Sequence, residues 1–367
     1  MAVHSPIPAF RQQDAVFRRS FLLLQKAIEA RAFPAASAAV TYQGKLVALK
    51  TLGRFTYDAG ACEVTPASIF DLASVTKAIA TTSMAMILYQ RGLLDLEVPV
   101  LEVVPEFAGE DERRRNVTLR QLLAHSSGLP AYEKLFLRAR TAKELLVAAF
   151  RTALVSEPGT KAEYSDIGFI ILGVALARIA DETIDRFCQR EIVGPLGMTR
   201  TVFNPPVAWR GLAVPSADDR SFRHRIIQGE VQDENASVLG GVAGHAGLFG
   251  TAKDIANFAH MLIEGGQALL RPETIALFTR RQALPSSSSR ALGWDTPSSP
   301  SQSGKHFGLL SYGHLGYTGT SLWIDPEQRI SITLLTNRTW PDCGNQAIKQ
   351  VRPAVHDAVM EALGAAL

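Results

Sequence analysis

The stretch FDLASVTKAIATT, residues 70–82, places a serine and a lysine three positions apart at the start of an apolar segment. Residues three apart share one face of a helix, with Cβ atoms about 5–6 Å apart, so Ser74 and Lys77 can contact each other. The segment continues as KAIATTSMAMILYQ, which is apolar on nearly every face and predicts a buried helix ending at Arg91 and Gly92. The pattern therefore indicates a hydroxyl at the positive end of a helix dipole, beside a lysine in apolar surroundings.

A serine hydroxyl becomes an effective nucleophile only when a base takes its proton. Lysine is normally a cation with a pKa near 10.4, so Lys77 can act as that base only if burial or a nearby cation lowers its pKa. The residues around it, LASVTKAIA, are small and apolar, which favours such burial. Taken alone, the spacing also fits a helix-capping serine beside a surface lysine, so other segments have to decide between the two readings.

Composition excludes several classes of protein. The 367 residues are 47% hydrophobic, which is enough for a large core, and the net charge of +3 is small for this length. The basic run Arg113 to Arg115 directly follows three acidic residues, which is typical of a solvated surface and not of a nucleic-acid-binding arm. We therefore expect no nucleic-acid partner.

The three cysteines, Cys62, Cys188 and Cys343, are far apart and predict buried thiols in a reducing compartment, without a disulfide framework. The spacing of His125, His245, His306 and His314 is not that of metal ligands, so we expect no metal, and we expect no cofactor. The longest apolar stretch, residues 167–177, is too short to cross a bilayer, and the first twenty residues lack a secretory pattern. We expect a soluble, cytoplasmic protein with no membrane partner, or a periplasmic one if a leader has been removed; the oligomeric state stays open.

Strand patterns lie near both ends of the chain. SAAVTYQGKLVALKTLG predicts a hairpin around Gln43 and Gly44, after a helix at 14–31. GTSLWIDPEQRISITLLTN predicts two further strands around a turn at 325–328, before a final helix at about 344–364. We therefore expect one sheet assembled from both chain ends.

The sequence of the middle of the chain predicts short helices and loops. This arrangement predicts a discontinuous α/β lobe of residues 1–80 and 235–367, a mainly helical lobe of residues 81–234, and an active site in the cleft between them. Within this scheme TLRQLLAHSSGLP predicts a helix ending at 126–128, and Thr251 with Asp254 predicts a capping box. The serine-rich piece at 285–306 predicts an exposed loop.

Six segments occur in an order that resembles a known family: FDLASVTK, LRQLLAHSSGLP, EPGTKAEYSDIGFIILG, PLGMTRTVF, GVAGHAGLFGTAKDIANFAHML and GHLGYTGTSLWID with LLTNR. Together they resemble the serine β-lactamase and penicillin-binding-protein superfamily, and most closely its class C-like branch, which includes family VIII carboxylesterases. The likeness runs from about residue 20 to residue 338. It implies a class C β-lactamase-like fold of α/β plus α type, with a central antiparallel sheet flanked by helices and an inserted helical lobe.

The resemblance also implies roles for particular residues. Ser74 would be the nucleophile and Lys77 its partner in the first motif. Tyr164, in YSD, would stand in the second motif, where the tyrosine and the lysine act as general base for the serine and the tyrosine then as acid to the leaving group. The third motif would be His314, Leu315 and Gly316, and the backbone N–H groups of Ser74 and Tyr317 would form the oxyanion hole.

Two departures from the family pattern bear on the substrate. Asp166 stands where the family usually has asparagine, and a carboxylate can accept from Lys77 but cannot donate to a substrate carbonyl. His314 replaces a lysine that attracts substrate carboxylates, and histidine is only partly charged near neutrality. Both changes favour neutral esters over anionic β-lactams, unless Arg338 or Lys305 restores a cation.

The segment VQDENASVLGGVAGHAG, residues 231–247, resembles a stretch found in penicillin-binding-protein-like members of the superfamily. Asp233 and His245 would then border the pocket. The alternative is a glycine-rich loop that only anchors the helix after it.

These inferences predict a metal-free serine hydrolase that works through an acyl-enzyme on a small-molecule ester or β-lactam-like substrate. A carboxylesterase with weak β-lactamase activity is our first expectation. A β-lactamase, or an amidase acting on D-Ala-D-Ala peptides, is the alternative. A catalytically idle binding or assembly protein is a further one.

Overall fold

A five-stranded antiparallel sheet joins the two ends of the chain in the computed structural model, which describes residues 7–283, 285–286 and 288–364. The strands are β1 (Ala35–Tyr42), β2 (Lys45–Gly53), β3 (Phe70–Asp71), β4 (Val202–Phe203), β5 (Ala217–Asp219), β6 (Arg225–Ile227), β7 (Leu248–Gly250), β8 (Tyr312–Leu315), β9 (Ser321–Asp325) and β10 (Ile330–Thr336). The large sheet has the order β2-β1-β10-β9-β8, and β1 pairs with β10 from Ala36 opposite Thr336 to Tyr42 opposite Ile330. The sheet predicted from both chain ends is confirmed.

The α-helices of the described residues are α1 (Gln13–Val16), α2 (Arg18–Glu29), α3 (Ser83–Gln90), α4 (Val100–Val103), α5 (Leu119–Leu123), α6 (Ala142–Phe150), α7 (Asp166–Ala180), α8 (Ile184–Cys188), α9 (Glu234–Val238), α10 (Ala252–Ile263), α11 (Pro272–Thr279) and α12 (Ile348–Gly364). Two segments are π-helical, Lys77–Thr82 and Gln189–Val193. Short 3₁₀ turns occur at Phe10–Gln12, Pro105–Phe107, Glu112–Asn116, Leu135–Leu137 and Val207–Leu212. No helix in the described part of the chain is both long and apolar enough to cross a membrane.

Helices cover both faces of the large sheet. The terminal helices α2 and α12 pack against each other and against one face, where Leu24, Phe33, Leu334 and Val355 form a core cluster. Helix α10 packs on strands β1, β9 and β10 from the other face. Because both faces are covered, β1 and β10 are buried along their whole length, which explains their apolar and small side chains.

A second, three-stranded sheet positions the segment FDLASVTK, which contains Ser74 and Lys77. Its order is β3-β7-β4, and β3 leads directly into the turn that carries Ser74. The helix that follows is buried from Lys77 to Leu88, as predicted, and ends at Gln90 before Gly92, whose φ is +72°. Its first part is π-helical, a local widening that often occurs at functional sites.

Several predicted boundaries differ from the structure. The helix predicted over 14–31 is divided at Phe17 into α1 and α2, and α12 begins at Ile348 instead of at about 344. Helix α5 ends at Leu123, earlier than predicted, because His125 adopts the left-handed conformation with φ +55°.

Two local predictions are wrong. Thr251 caps α10 by accepting from the Asp254 N–H, but the Asp254 carboxylate accepts from the Arg200 N–H and Thr201 Oγ1 instead of closing a capping box. The serine-rich piece at 285–306 is not an exposed loop throughout, because its apolar centre, including Trp294, is buried in the main core. The division into lobes of residues 1–80 with 235–367 and of 81–234 stays a prediction.

Candidate active site

Ser74 lies on a tight turn between β3 and the buried helix. The turn places Ala73 at φ +47°, a conformation that costs energy for any residue with a Cβ. The Asp71 carboxylate supports it by accepting from the Ala73 N–H at 2.8 Å and from the Gln232 N–H at 2.6 Å. Burial raises the pKa of Asp71 to about 6, and those two hydrogen bonds oppose the rise.

Lys77 is completely buried beside Ser74. Its Nζ lies 3.0 Å from Ser74 Oγ, 2.6 Å from Asp166 Oδ1 and 2.9 Å from the carbonyl oxygen of His245. Burial lowers the pKa of Lys77, Asp166 opposes this, and the positive charge of Arg290 lowers the pKa further. The alternative of a serine beside a surface lysine does not describe this pair.

The three contacts of Lys77 suit a neutral amine. Two acceptors, Asp166 Oδ1 and the His245 carbonyl, can take its two N–H hydrogens. Its lone pair is then left to face the hydroxyl of Ser74. An ammonium group would instead donate to all three oxygens, so the arrangement accommodates the amine before and after it gains a proton.

Tyr164 joins the same group. The side chains of Ser74 and Asp166 lie near its hydroxyl, and Lys77 Nζ lies 4.9 Å from the centre of its ring. Burial raises the pKa of Tyr164 well above its usual value of 10, and the negative charge of Asp166 raises it further. The resting group is therefore a phenol that can donate a proton.

Two buried neighbours fix the position of Tyr164. The ring of His125 lies 4.6 Å from that of Tyr164, centre to centre, and His125 Nδ1 accepts from the Ser165 N–H at 3.0 Å. Ser165 caps helix α7 by accepting from the Gly168 N–H. This cap places Tyr164 just before the helix and Asp166 in its first turn, so both side chains reach Lys77.

Arg290 is the residue of this group that the sequence did not reveal. Its guanidinium carbon lies 5.4 Å from the centre of the Tyr164 ring, and its Nη1 lies 3.6 Å from Asp295 Oδ2. It belongs to the serine-rich piece predicted as an exposed loop. The apolar ALGW that directly follows was the signal for burial, since such residues rarely occupy a solvated loop.

His314 lies on the edge strand β8 and is neutral. Burial lowers its pKa to about 3, so the partial charge predicted near neutrality is wrong. His314 Nδ1 lies 2.8 Å from the carbonyl oxygen of Leu315, which requires the proton on Nδ1, and Nε2 is an acceptor without a partner among the described residues. The neighbouring Gly316 has no room for a side chain, because a Cβ there would lie 1.9 Å from Thr320 Oγ1.

The backbone N–H groups of Ser74 and Tyr317 are unengaged. Within the described ranges neither of them donates to a protein acceptor, as an oxyanion hole requires. Tyr317 is held from the side by Arg338, whose Nε donates to the Tyr317 carbonyl at 2.6 Å and whose guanidinium lies over the tyrosine ring. The oxyanion role stays a prediction.

Asp233 and His245 form a pair, in which Asp233 Oδ1 lies 2.8 Å from His245 Nε2. Asp233 lines the cavity in front of Ser74, whereas the His245 side chain is buried, and it is the backbone carbonyl oxygen of His245 that contacts Lys77.

Of the two cations that the sequence offered in place of the third-motif lysine, Arg338 lines the cavity. Lys305 is not among the lining residues and instead pairs with Glu361 of α12.

The residues in front of Ser74 enclose a cavity of about 750 Å³. Aromatic and charged side chains share its wall, which includes Tyr132, Phe136, Tyr164, Asp166, Asp233, Glu234, Arg290, His314, Tyr317, Arg338, Lys349 and Arg352. A cavity of this size holds a small organic substrate. Ser74, Tyr164, Asp166 and Gly316, predicted from separate parts of the sequence, all lie on it.

Comparison with known proteins places this site in a family. A "Putative D-alanyl-D-alanine carboxypeptidase" of Salmonella agona strain SL483 is 32% identical over 321 residues, or 77% of this chain and 72% of the relative. A protein of the same name from Escherichia coli K12 is 32% identical over 308 residues, or 75% of this chain and 70% of the relative.

Solved structures share the fold. The hydrolase EstCE1, described as having promiscuous acyltransferase activity, superposes with a TM-score of 0.76 at 20% identity, covering 94% of this chain and 99% of its own. A penicillin-binding-protein homologue from Caulobacter crescentus gives a TM-score of 0.75 at 20% identity, covering 96% of this chain and 98% of its own. The family model named Beta-lactamase matches residues 22–355. The chain therefore belongs to the beta-lactamase family, within the serine β-lactamase and penicillin-binding-protein superfamily.

Proposed function

We propose that this chain is a serine hydrolase that forms an acyl-enzyme on Ser74 and acts best on small carboxylic esters. The contact between Nζ of the completely buried Lys77 and Ser74 Oγ, at 3.0 Å, carries the proposal. Burial lowers the pKa of Lys77 and so favours the neutral amine, which is the base a serine nucleophile needs.

The first half of the reaction moves one proton. Ser74 Oγ attacks the ester carbonyl carbon while its proton passes to Lys77 Nζ. The carbonyl oxygen becomes an oxyanion between the N–H groups of Ser74 and Tyr317, each of which contributes roughly 2.7–4 kcal/mol to the transition state. Asp166 and the His245 carbonyl then hold the new ammonium group.

The second half returns that proton to the leaving group. As the ester C–O bond breaks, the Tyr164 hydroxyl donates to the departing alkoxide, and Lys77 restores the proton to Tyr164. Water then attacks the acyl-enzyme, and its proton passes through the same groups to Ser74 Oγ as the acid leaves. The raised pKa of Tyr164 supports this role, since the group starts as a phenol.

The charges of the site favour a neutral ester. His314 is neutral and so offers no cation at the third motif, and Asp166 can only accept hydrogen bonds. Arg338 lines the cavity, but it already donates to the carbonyl oxygens of Tyr317, Cys343 and Asn345.

The names of the curated relatives support a second candidate, a carboxypeptidase that releases D-alanine from D-Ala-D-Ala peptides.

A substrate panel tests both candidates. Wild type, Ser74→Ala and Tyr164→Phe are assayed with p-nitrophenyl butyrate, nitrocefin and an N-acyl-D-Ala-D-Ala peptide, and a fluorophosphonate adduct is located by mass spectrometry. We expect an adduct on Ser74, ester turnover above the other two, complete loss in Ser74→Ala, and a drop of about 10²–10⁴-fold in kcat for Tyr164→Phe with the fold intact. Faster peptide turnover would establish the second candidate. Failure of wild type to form an adduct would favour an idle binding protein.

A further inference from the structure

Two threonine side chains connect the loop after β8 to the turn that carries Ser74. Thr318 Oγ1 donates to the carbonyl oxygen of Asp71 at 2.8 Å, and Thr320 Oγ1 donates to that of Leu72 at 2.9 Å. Both threonines are at most 1% exposed, so water does not compete for either bond. The two bonds join segments 247 and 248 residues apart in the chain.

These bonds matter because the two segments belong to different sheets. Strand β3, before Ser74, pairs with β7, whereas β8, before Tyr317, is the edge of the five-stranded sheet. No ladder of backbone hydrogen bonds therefore fixes one relative to the other. Between residues 68–76 and 312–320, all of which the structure describes, the two threonine bonds are the only hydrogen bonds.

Each bond lies close to one of the two unengaged N–H groups. Ser74 follows Leu72 by two residues and Tyr317 directly precedes Thr318, and a residue spans at most about 3.3–3.6 Å. The Ser74 turn is itself rigid, because the Leu72 N–H donates to the Leu248 carbonyl and Asp71 supports Ala73. The threonines therefore set the separation of the two N–H groups.

We propose that Thr318 and Thr320 are positioning residues that hold the backbone N–H groups of Ser74 and Tyr317 at the spacing one carbonyl oxygen needs. The inference rests on the proposed acyl-enzyme mechanism. An oxyanion hole works only when both donors lie within about 2.7–3.1 Å of the developing charge. Loosening the connection weakens binding of the transition state more than binding of the substrate, so it lowers kcat and leaves KM nearly unchanged.

The test replaces each threonine by valine, which keeps the shape and removes the hydroxyl. With p-nitrophenyl butyrate we expect kcat to fall about 10–100-fold in Thr318→Val and in Thr320→Val, the range that a small misplacement produces, with KM little changed. Thr318→Ser and Thr320→Ser keep the hydroxyl and recover most of kcat. Where a valine variant does not fold, cysteine at the same position gives the same comparison, since its thiol is a weak donor.

Thr333→Val is the matched control. Thr333 lies in β10, is fully buried, and has a hydroxyl without a partner among the described residues, so its loss removes no connection. We expect this variant to keep kcat. Valine variants at 318 and 320 with kcat within about twofold of wild type, or a loss that serine does not reverse, would overturn the inference. A wild type without a Ser74 adduct refutes the proposed function itself, which is a separate result.

Discussion

At the scale of single residues, the ionisation of Lys77 depends on burial, on Asp166 and, to a smaller extent, on Arg290. Burial lowers the pKa of Lys77, while Asp166, at 2.6 Å, pulls it upward. A carboxylate beside a buried amine favours the protonated form, so a positive charge nearby adds to the effect of burial in releasing the neutral amine. Arg290 supplies that charge without contacting Ser74, and it also lowers the pKa of the neighbouring His125.

Removing this charge should shift the pH dependence of hydrolysis. In Arg290→Gln a charge that lowers the pKa of Lys77 is lost, so that pKa rises and the amine stays protonated to higher pH. The acidic limb of the kcat/KM profile with p-nitrophenyl butyrate therefore moves to higher pH. Arg290→Lys keeps a positive charge and moves the limb less, and the exposed Arg280→Gln serves as control. An unmoved limb in Arg290→Gln would contradict the role given to Arg290.

Sequence reasoning found the residues that are marked by local spacing or by the order of segments along the chain, and it missed the others. Ser74 and Lys77 share a helix face, and Tyr164 stands in one of the six segments whose order along the chain resembles the family, so their grouping could be predicted. Arg290 could not be found in this way, because its serine-rich surroundings are typical of an exposed loop. The charge of His314 was predicted wrongly because burial, which sets its pKa, is a property of the folded chain.

At the scale of elements, two glycines bring helix α7 against the loop that contacts Lys77. A Cβ on Gly244 would lie 2.2 Å from the carbonyl oxygen of Phe169, and one on Gly173 would lie 2.9 Å from the Cα of Gly244. Thr81, in the π-helical segment, donates to the Gly244 carbonyl at 2.6 Å. The next carbonyl in the loop, that of His245, accepts from Lys77, so this packing positions the amine.

Gly244→Ala should therefore damage both stability and activity. The added methyl meets backbone, which cannot rotate away, so we expect a loss of about 1–3 kcal/mol in the free energy of unfolding. We also expect a lower kcat, because the His245 carbonyl moves with the loop. Gly211→Ala is the control, since a Cβ there meets nothing within 4 Å. Urea unfolding and ester turnover measure the two effects, and a Gly244→Ala protein as stable as the control would contradict the packing argument.

Element types were more predictable than element ends. The apolar run of residues 77–90 and the turn residues Gln43 and Gly44 are local properties, and both the helix and the hairpin form as predicted. The end of α5 is set by the left-handed His125, and the carboxylate of Asp254 is drawn to Arg200 and Thr201 from a distant segment. Such tertiary contacts leave no local pattern in the sequence.

At the scale of the whole molecule, the sheet that joins the two chain ends, with its covering helices, leaves histidines in the interior. Pairing of β1 with β10 brings the chain ends together, and α12 covers the sheet with His356 facing inward. Burial lowers the pKa of His356 to about 3, with a contribution from Arg352, and the same value holds for His314. Both side chains stay neutral in the folded protein at pH values where an unfolded histidine, with a pKa near 6.5, is charged.

Neutral buried histidines should make the fold acid-sensitive. Because the folded pKa of His356 lies below its unfolded value, the stability it contributes is fully present above pH 6.5 and is lost as the pH falls from 6.5 towards 3. As the pH falls through that window, each such histidine lowers the free energy of unfolding by about 1.4 kcal/mol for every pH unit. The raised pKa of Asp71, about 6, acts in the opposite direction between roughly pH 6 and 4 and offsets one histidine.

His356→Gln isolates one of these contributions, because His356 is not among the residues lining the cavity and glutamine does not titrate. We expect the free energy of unfolding, measured in urea between pH 7 and 4, to fall less steeply than in wild type by about 1.4 kcal/mol per unit. Replacement of the exposed His224 by glutamine should leave the slope unchanged. Equal slopes in wild type and His356→Gln would mean that His356 takes up its proton in the folded state, and burial would then not govern the acid response of this fold.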